Sequence, residues 1–254
     1  QKVSDDSSLV ALHADSPSLL DRDPGGVTLV FAHGPDDLLV RSPPAELADK
    51  KDKSPLFDPA LRNGYHVDGA GFMPGGAIKQ NAARIVKSWR GPGWAAAKSI
   101  DEINAAASVS RVVTHLKIFH ALIVIDELQS AGGAERIFEQ FWHIASGLAV
   151  PPPPLQLPLR FELAQAGGMT VAFDAQGAIS IDTEGEGSCV RRSVRLTNGL
   201  LASLFQWSEA PAPAAIKIVG REPGGWVVSV SGASFKRRLI LRGDEFVCEE
   251  ASGS

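Results

Sequence analysis

Residues 111–144 read RVVTHLKIFHALIVIDELQSAGGAERIFEQFWHI and contain three runs rich in β-branched and aromatic residues, which favour extended strands. In the second run, residues 121–125 are continuously apolar, and this predicts a strand that is buried on both faces. His120 separates the first two runs at a predicted turn, and AGGAERI, residues 131–137, follows the second run. The simplest interpretation of this stretch is an antiparallel meander of three strands.

Short strand signals continue after residue 155, with turn residues roughly every ten positions, as is typical of sandwiches. The four prolines from Pro151 to Pro154 precede them and cannot lie inside a sheet, because proline has no amide donor. The pattern predicts an all-β fold, an antiparallel, multi-stranded, supersandwich-like β-sandwich with few helices or none. It covers residues 1–254, and the prolines suggest two lobes, a sheet in 1–150 and a second sheet in 155–254.

Charge and hydropathy argue against two classes of protein. The net charge of −4 lacks the basic excess that is typical of nucleic-acid binders. No apolar stretch approaches the roughly 18 residues that a membrane-spanning helix needs. Two cysteines, Cys189 and Cys248, are too few for a disulfide framework, and they leave open either one bridge or two free thiols.

Two further segments carry recognisable motifs. Residues 31–40 read FAHGPDDLLV, and residues 62–69 read RNGYHVDG. Together with residues 111–144, and in this order along the chain, they resemble three motifs of the heparinase II/III-like polysaccharide lyases. The match to the family's H-N-T-x-x-V-D-G motif rests on Asn63, Val67, Asp68 and Gly69. The match in the long stretch rests on Arg111, Asp126, Glu139, Gln140, Trp142 and His143.

The resemblance implies a fold, an activity and a location. Such lyases join an N-terminal helical toroid to antiparallel β-sheets, and they cleave uronic-acid polysaccharides by β-elimination in the cleft between the two parts. This chain would then be the β-domain, with its toroid before residue 1 and an acidic polysaccharide as its partner. The sequence begins QKVSDDSSLV, with neither Met nor a signal peptide, which suggests that the chain is cut from a longer parent or processed. The periplasmic or secreted location is implied by the resemblance alone.

β-Elimination needs a base for the proton α to the uronate carboxylate, an acid for the leaving oxygen, and a group that neutralises the carboxylate. His66 and Tyr65, the only tyrosine, are the candidates for proton transfer. The candidates for substrate binding are Arg62, Asn63, His33 and Trp94.

The two histidines of the family's motifs are replaced here. Arg62 and Gly34 stand at their positions, and His66 and His33 lie nearby. Either these neighbouring histidines take over, or the chain has lost the lyase chemistry and is a non-catalytic glycan-binding or structural β-sandwich module.

A metal and a basic strip are the remaining candidates. His66, Asp126 and His143 offer nitrogen and oxygen ligands of the type that zinc accepts, although no cofactor is otherwise expected. In RRSVRL, residues 191–196, strand alternation would place Arg191, Ser193 and Arg195 on one face. This face is either merely solvated or a basic strip for an acidic chain.

Overall fold

Strand pairing in the computed structural model arranges the chain as three antiparallel sheets, which confirms the predicted all-β sandwich. The structure describes residues 8–15, 26–33, 36–39, 63–69, 83–104, 107–163, 167–174, 177–183, 187–223, 225–232 and 234–251. Within these ranges the only helical segments are two short 3-10 turns. None of the described helical segments has the length and apolar character needed to cross a membrane.

Nineteen strands are described. In chain order they are β1 Ser8–Asp15, β2 Gly26–His33, β3 Asp36–Leu39, β4 Tyr65–Val67, β5 Ala83–Gly91, β6 Trp94–Asn104, β7 Ala107–Leu116, β8 Ala121–Ser130, β9 Arg136–Ile144, β10 Leu148–Ala149, β11 Leu159–Leu163, β12 Gly168–Phe173, β13 Ala178–Asp182, β14 Ser188–Leu196, β15 Asn198–Ser208, β16 Ala215–Glu222, β17 Gly225–Ser231, β18 Lys236–Arg242 and β19 Glu245–Glu250.

The three sheets differ in size. The first sheet has the order β1-β2-β3-β9-β14-β13, and β4 also pairs with β9. The central sheet has eight strands in the order β10-β11-β12-β15-β8-β7-β6-β5. The small sheet contains β16 to β19 in sequence order.

The central sheet lies between the other two because its middle strands are apolar on both faces. On β8, Leu122 and Val124 belong to the core shared with the first sheet. Ile123 and Ile125 belong to the core shared with the small sheet. Since successive side chains of a strand point to opposite faces, a continuous apolar run supplies both cores. The predicted burial of this strand on two faces is confirmed.

Strand β9 does not continue the sheet of β7 and β8, so the predicted three-strand meander is wrong. β7 pairs with β8 as expected, but β9 pairs with β4 and β14 in the first sheet. Its side chains give the physical reason. Gln140 and Trp142, on one face of β9, are both fully buried between the first and the central sheet. The strand must therefore face β8 across the core rather than lie beside it.

The proline segment lies in a loop, as its composition predicts. It connects β10 to β11, which pair with each other in the central sheet. The strand pairing differs from the expectation of one sheet on each side of the prolines. β15 pairs with β8, and β14 pairs with β9, so both large sheets combine strands from before and after this segment.

The two cysteines are free thiols. Cys189 lies on β14 and Cys248 on β19, in different sheets. Burial raises the pKa of each thiol to about 11. Because the thiolate is the reactive form, both side chains are unreactive near neutral pH.

A buried ion pair joins β7 to β8 inside the sandwich. Arg111 donates from Nε to Asp126 Oδ1 at 2.7 Å and from Nη2 to Asp126 Oδ2 at 2.8 Å. Both side chains have 0% exposure. The guanidinium also lies over two rings, 5.0 Å from the centre of Tyr65 and 5.1 Å from that of Trp142. These rings belong to the first sheet, so the cation of the central sheet is packed into its neighbour.

Gln140 extends this pair into a chain of polar contacts between the sheets. Its Nε2 donates to Asp126 Oδ2 at 2.7 Å, and its Oε1 accepts from Arg192 Nη1 at 3.4 Å. Arg192, which is fully buried on β14, forms an ion pair with Asp174, the residue that follows β12. Asp174 in turn accepts from the amide of Ala202 at 2.9 Å. We call the five side chains Arg111, Asp126, Gln140, Arg192 and Asp174 the inter-sheet network.

Replacing both partners of the first ion pair tests whether the two buried charges depend on each other. We expect Arg111→Met to lower the free energy of unfolding by about 3–5 kcal/mol, because it leaves the Asp126 charge buried without its cation. Asp126→Leu should lower the free energy of unfolding by a similar amount, because it leaves the Arg111 charge buried without its carboxylate. The double variant should lose clearly less than the sum, because no unpaired charge remains. Urea denaturation measures all three, and strictly additive losses would contradict the coupling.

The V-D-G turn after β4 anchors that strand to the start of β9. Asp68 has a φ of 56°, in the left-handed region, and its amide donates to the Ile137 carbonyl at 2.7 Å. Its carboxylate accepts from the Ile137 amide at 2.9 Å and from Arg136 at 2.8 Å. The bond from the Ile137 amide, followed by that from Arg136, lowers the pKa of Asp68 below its ordinary value of 3.8.

The stabilisation from Asp68 should depend on pH. A carboxyl group with a lowered folded-state pKa stabilises the fold above its unfolded value and loses that effect as the pH falls through the folded value. We expect Asp68→Asn to lower the melting temperature at pH 7 and the difference to shrink below pH 3.8. Thermal melts across this range measure it, and an unchanged difference at low pH would show that the charge does not matter.

Candidate functional site

Strand alternation on β9 divides its side chains between the core and the opposite side of the first sheet. Gln140 and Trp142 point into the sandwich. Glu139, Phe141 and His143 therefore point away from it. We call this side, turned away from the central sheet, the outer face of the first sheet.

Four side chains meet on the outer face. His66 on β4 is paired in register with Glu139, and its ring lies 4.7 Å from that of Phe141. Arg191 on β14 is paired in register with Phe141, and its guanidinium carbon lies 6.0 Å from the ring centre. Arg191 also reaches diagonally to Glu139, donating from Nε to Oε1 at 2.9 Å and from Nη2 to the same oxygen. We call these four residues the outer-face cluster.

The positive charge of the cluster is exposed to solvent, whereas the negative charge is nearly buried. The Glu139 side chain is 7% exposed, whereas that of Arg191 is 47% exposed. The hydrogen bond to Glu139, followed by the attraction of its charge, raises the pKa of Arg191. The cluster thus presents to solvent a permanently charged guanidinium, with a carboxylate beneath it and an imidazole on the other side of β9.

The two residues predicted for proton transfer lie on opposite faces. His66 is half-buried on the outer face, but Tyr65 is 2% exposed and lies between the sheets. The Tyr65 ring contacts Phe138 at 5.8 Å and the Arg111 guanidinium at 5.0 Å. Neighbours in a strand alternate, so Tyr65 cannot reach a ligand bound beside His66, and its predicted catalytic role is corrected to packing.

Asn63 is a structural clamp rather than a substrate ligand. It has 0% exposure and a φ of 56°, which asparagine tolerates better than most residues. Its Nδ2 donates to the Leu29 carbonyl at 2.7 Å, and its Oδ1 accepts from the His143 amide at 2.6 Å. It therefore joins β2 to β9, and its predicted substrate contact is corrected.

The other predicted substrate residues do not join the cluster in the described part of the chain. Trp94 lies on the central sheet, half-buried with its ring 5.6 Å from that of Phe246 of the small sheet. His33 ends β2, where its backbone pairs with Ser8 and Asp36. The side chain of His33 and the whole of Arg62 lie outside the described residues.

The predicted metal ligands are divided by the backbone of the first sheet. His66 and His143 belong to the outer face, whereas Asp126 is fully buried between the sheets and engaged by Arg111 and Gln140. The three side chains are therefore not brought together. Across the described ranges, the structure contains no group of three or more His, Cys, Asp or Glu residues that could hold a metal ion.

The adjacent arginines Arg191 and Arg192 of RRSVRL lie on opposite faces of β14, as strand alternation predicts, and have different roles. Arg192 is not solvated but fully buried in the inter-sheet network, while Arg191 joins the outer-face cluster. A signal was present, because Val190 and Val194 flank Arg192 at alternate positions and mark the inward face. The partner of Arg191 lies 52 residues earlier in the chain, and no local pattern identifies it.

On the outer face of the first sheet, Arg191 is exposed while Glu139 is nearly buried. A cavity of about 790 Å³ is found elsewhere, between β1 and the ends of β5, β6 and β7. It is lined by small and apolar side chains together with Arg90, His115, Lys117 and His120, and none of the four cluster residues belongs to this lining.

No protein-family model matches the sequence, and no curated protein matches it. Solved structures do match in fold. Heparan sulfate lyase HepC from Pedobacter heparinus superposes with a TM-score of 0.70 at 10% identity, over 94% of this chain and 40% of that chain. The heparinase III BT4657 gene product has a TM-score of 0.71 at 11% identity, over 93% of this chain and 39% of that chain. A further heparinase III structure has a TM-score of 0.66 at 11% identity, over 87% of this chain and 36% of that chain.

These comparisons agree with the resemblance carried by the three sequence motifs. At 10–11% identity the likeness concerns the fold, and the chain spans about two fifths of the length of the structures it matches. This chain therefore has the heparinase III fold, in the form of a partial, β-sheet region of those lyases.

Proposed function

We propose that this chain is the β-sheet domain of a polysaccharide lyase that cleaves a uronic-acid-containing polysaccharide by β-elimination. In this proposal the outer face of the first sheet is one side of the substrate cleft. The observation that carries it is the outer-face cluster. An imidazole, a solvent-exposed guanidinium and an aromatic ring lie together on one face of a fold shared with heparan sulfate lyase.

His66 is the proposed proton-transfer group of this domain. An imidazole can accept and return a proton near neutral pH, as the elimination requires. His66 stands where β4 meets β9, held by its register with Glu139 and by the Phe141 ring. Because Tyr65 is buried, the second proton-transfer group is proposed to come from outside this chain.

The partner implied by the sequence resemblance is an N-terminal helical toroid in the parent protein, which would form the opposite wall of the cleft. A face with one candidate base among the described residues fits such a divided site. The substrate class, an acidic polysaccharide, and the periplasmic or secreted location are part of the same proposal.

The lyase proposal is tested by replacing His66. We expect the natural full-length protein to release unsaturated ends from a uronate polysaccharide, followed by ultraviolet absorbance. His66→Ala should lower kcat by about a hundredfold or more, since proton transfer by a positioned side chain contributes at least that much.

A matched control is His120→Asn, which replaces a distant histidine with a φ of 46° by a residue that tolerates this conformation. It should leave kcat within about twofold, because His120 lies at the turn before β8 rather than near the cluster. Absence of activity in the full-length protein on a panel of uronates would favour the alternative, a non-catalytic glycan-binding or structural module.

No metal is required by the proposed chemistry in this domain. We expect chelation by EDTA to leave the melting temperature of the chain unchanged, because a metal that binds only the folded state would stabilise it in proportion to its affinity. Thermal melts with and without EDTA measure this, and a fall of several degrees would point to a zinc site that includes residues outside the described ranges.

A further inference from the structure

Arg191 is held by Glu139 and is partly exposed to solvent. A guanidinium carries five N–H donors in a planar fork. Two of them, on Nε and Nη2, point at a single oxygen of Glu139. Among the described residues, no hydrogen bond to Arg191 Nη1 is found, and the side chain is 47% exposed. Part of the guanidinium is therefore accessible to solvent, where its remaining N–H groups can donate to a planar anion.

The guanidinium is also held in position. The Phe141 ring lies beneath it at 6.0 Å, and the bond to Glu139 fixes its rotation. An immobilised arginine loses less conformational entropy on binding than a free one, and its fork matches a carboxylate in a bidentate manner. Arg195 provides the contrast on the same strand and face, because its side chain is 70% exposed and meets Glu135 only at 3.7 Å.

The position of Arg191 relative to His66 suits a sugar acid. The two residues lie on the strands that flank β9 and are offset by two residues along it, so their backbones are about 12 Å apart. The proton removed in β-elimination is α to the carboxylate, so a base and a carboxylate ligand must reach neighbouring atoms of one sugar. Both side chains contact the Phe141 ring, His66 at 4.7 Å and Arg191 at 6.0 Å, which places them on the same part of the outer face.

We propose that Arg191 binds the carboxylate of a uronate sugar on the outer face and that Glu139 both orients the guanidinium and limits its affinity. The identification of the sugar acid rests on the proposed lyase function, whereas the anion site rests on geometry alone. Glu139 competes with the ligand for the same cation, so it lowers the affinity of Arg191 for an anion below that of an unpaired arginine. This makes Arg191 a specificity-determining residue for acidic over neutral glycans.

Calorimetric titration with a glucuronate-containing oligosaccharide and its carboxyl-reduced, uncharged counterpart tests the proposal. Arg191→Ala should weaken binding of the acidic probe about tenfold to a hundredfold, the range expected for a lost charge-assisted hydrogen bond. Arg191→Lys should recover only part of this, because an ammonium lacks the fork. The matched control, Arg195→Ala, should change the affinity by less than about twofold.

Glu139→Gln supplies the decisive variant, since a structural role and an anchor role predict opposite results. If Glu139 competes with the ligand, removing its charge should tighten binding of the acidic probe several-fold and leave the reduced probe unaffected. Weaker binding by Glu139→Gln, or equal losses for both probes in Arg191→Ala, would overturn the proposal. If binding follows these expectations while the His66 assay detects no lyase activity, the anion site stands and only the lyase function fails.

Discussion

The inter-sheet network is the interaction on which the rest of the structure depends. Arg111 and Asp126 belong to the central sheet, whereas Gln140 and Arg192 belong to the first sheet. The series of contacts ends at Asp174, which follows β12 of the central sheet. Burying four charges is costly unless every group is paired, and here Gln140 serves both ion pairs. Because Gln140 meets Asp126 and Arg192 meets Asp174 across the interface, the network constrains how the two sheets face each other in addition to apolar packing.

The outer face inherits its geometry from this buried side. Because side chains alternate on β9, the position of Gln140 in the network determines where Glu139 and Phe141 point. Tyr65, packed under the Arg111 guanidinium, does the same for His66 on β4. The cluster side chains with candidate chemical roles thus lie on a sheet, and each follows or precedes a residue that is fixed in the core. A precise site needs this kind of support.

Most of the residues that match the sequence motifs hold the sheets together. Of the residues that carry the resemblance, Arg111, Asp126, Gln140 and Trp142 meet in the sandwich interior, and Asn63 and Asp68 fasten β2 and β4 to β9. Glu139 and His143 are the two that point outward. The motifs therefore report mainly how the sheets are joined, which explains how a resemblance in a few positions can accompany a shared fold at 10% identity.

The sequence by itself determined the all-β class, most strands and the double burial of β8, because these follow from local alternation and turn residues. It also named His66 as a candidate for proton transfer, and this role stays a prediction. The tertiary structure alone decided that β9 crosses to another sheet, that Tyr65 and Asn63 are buried, and that Arg191 meets Glu139. Those facts depend on contacts between residues 14 to 80 positions apart, such as Gln140 with Asp126 and Asn63 with His143. Periodicity tells which side chains share a face of one strand, but strand order and the partner across a sheet come from packing the whole chain.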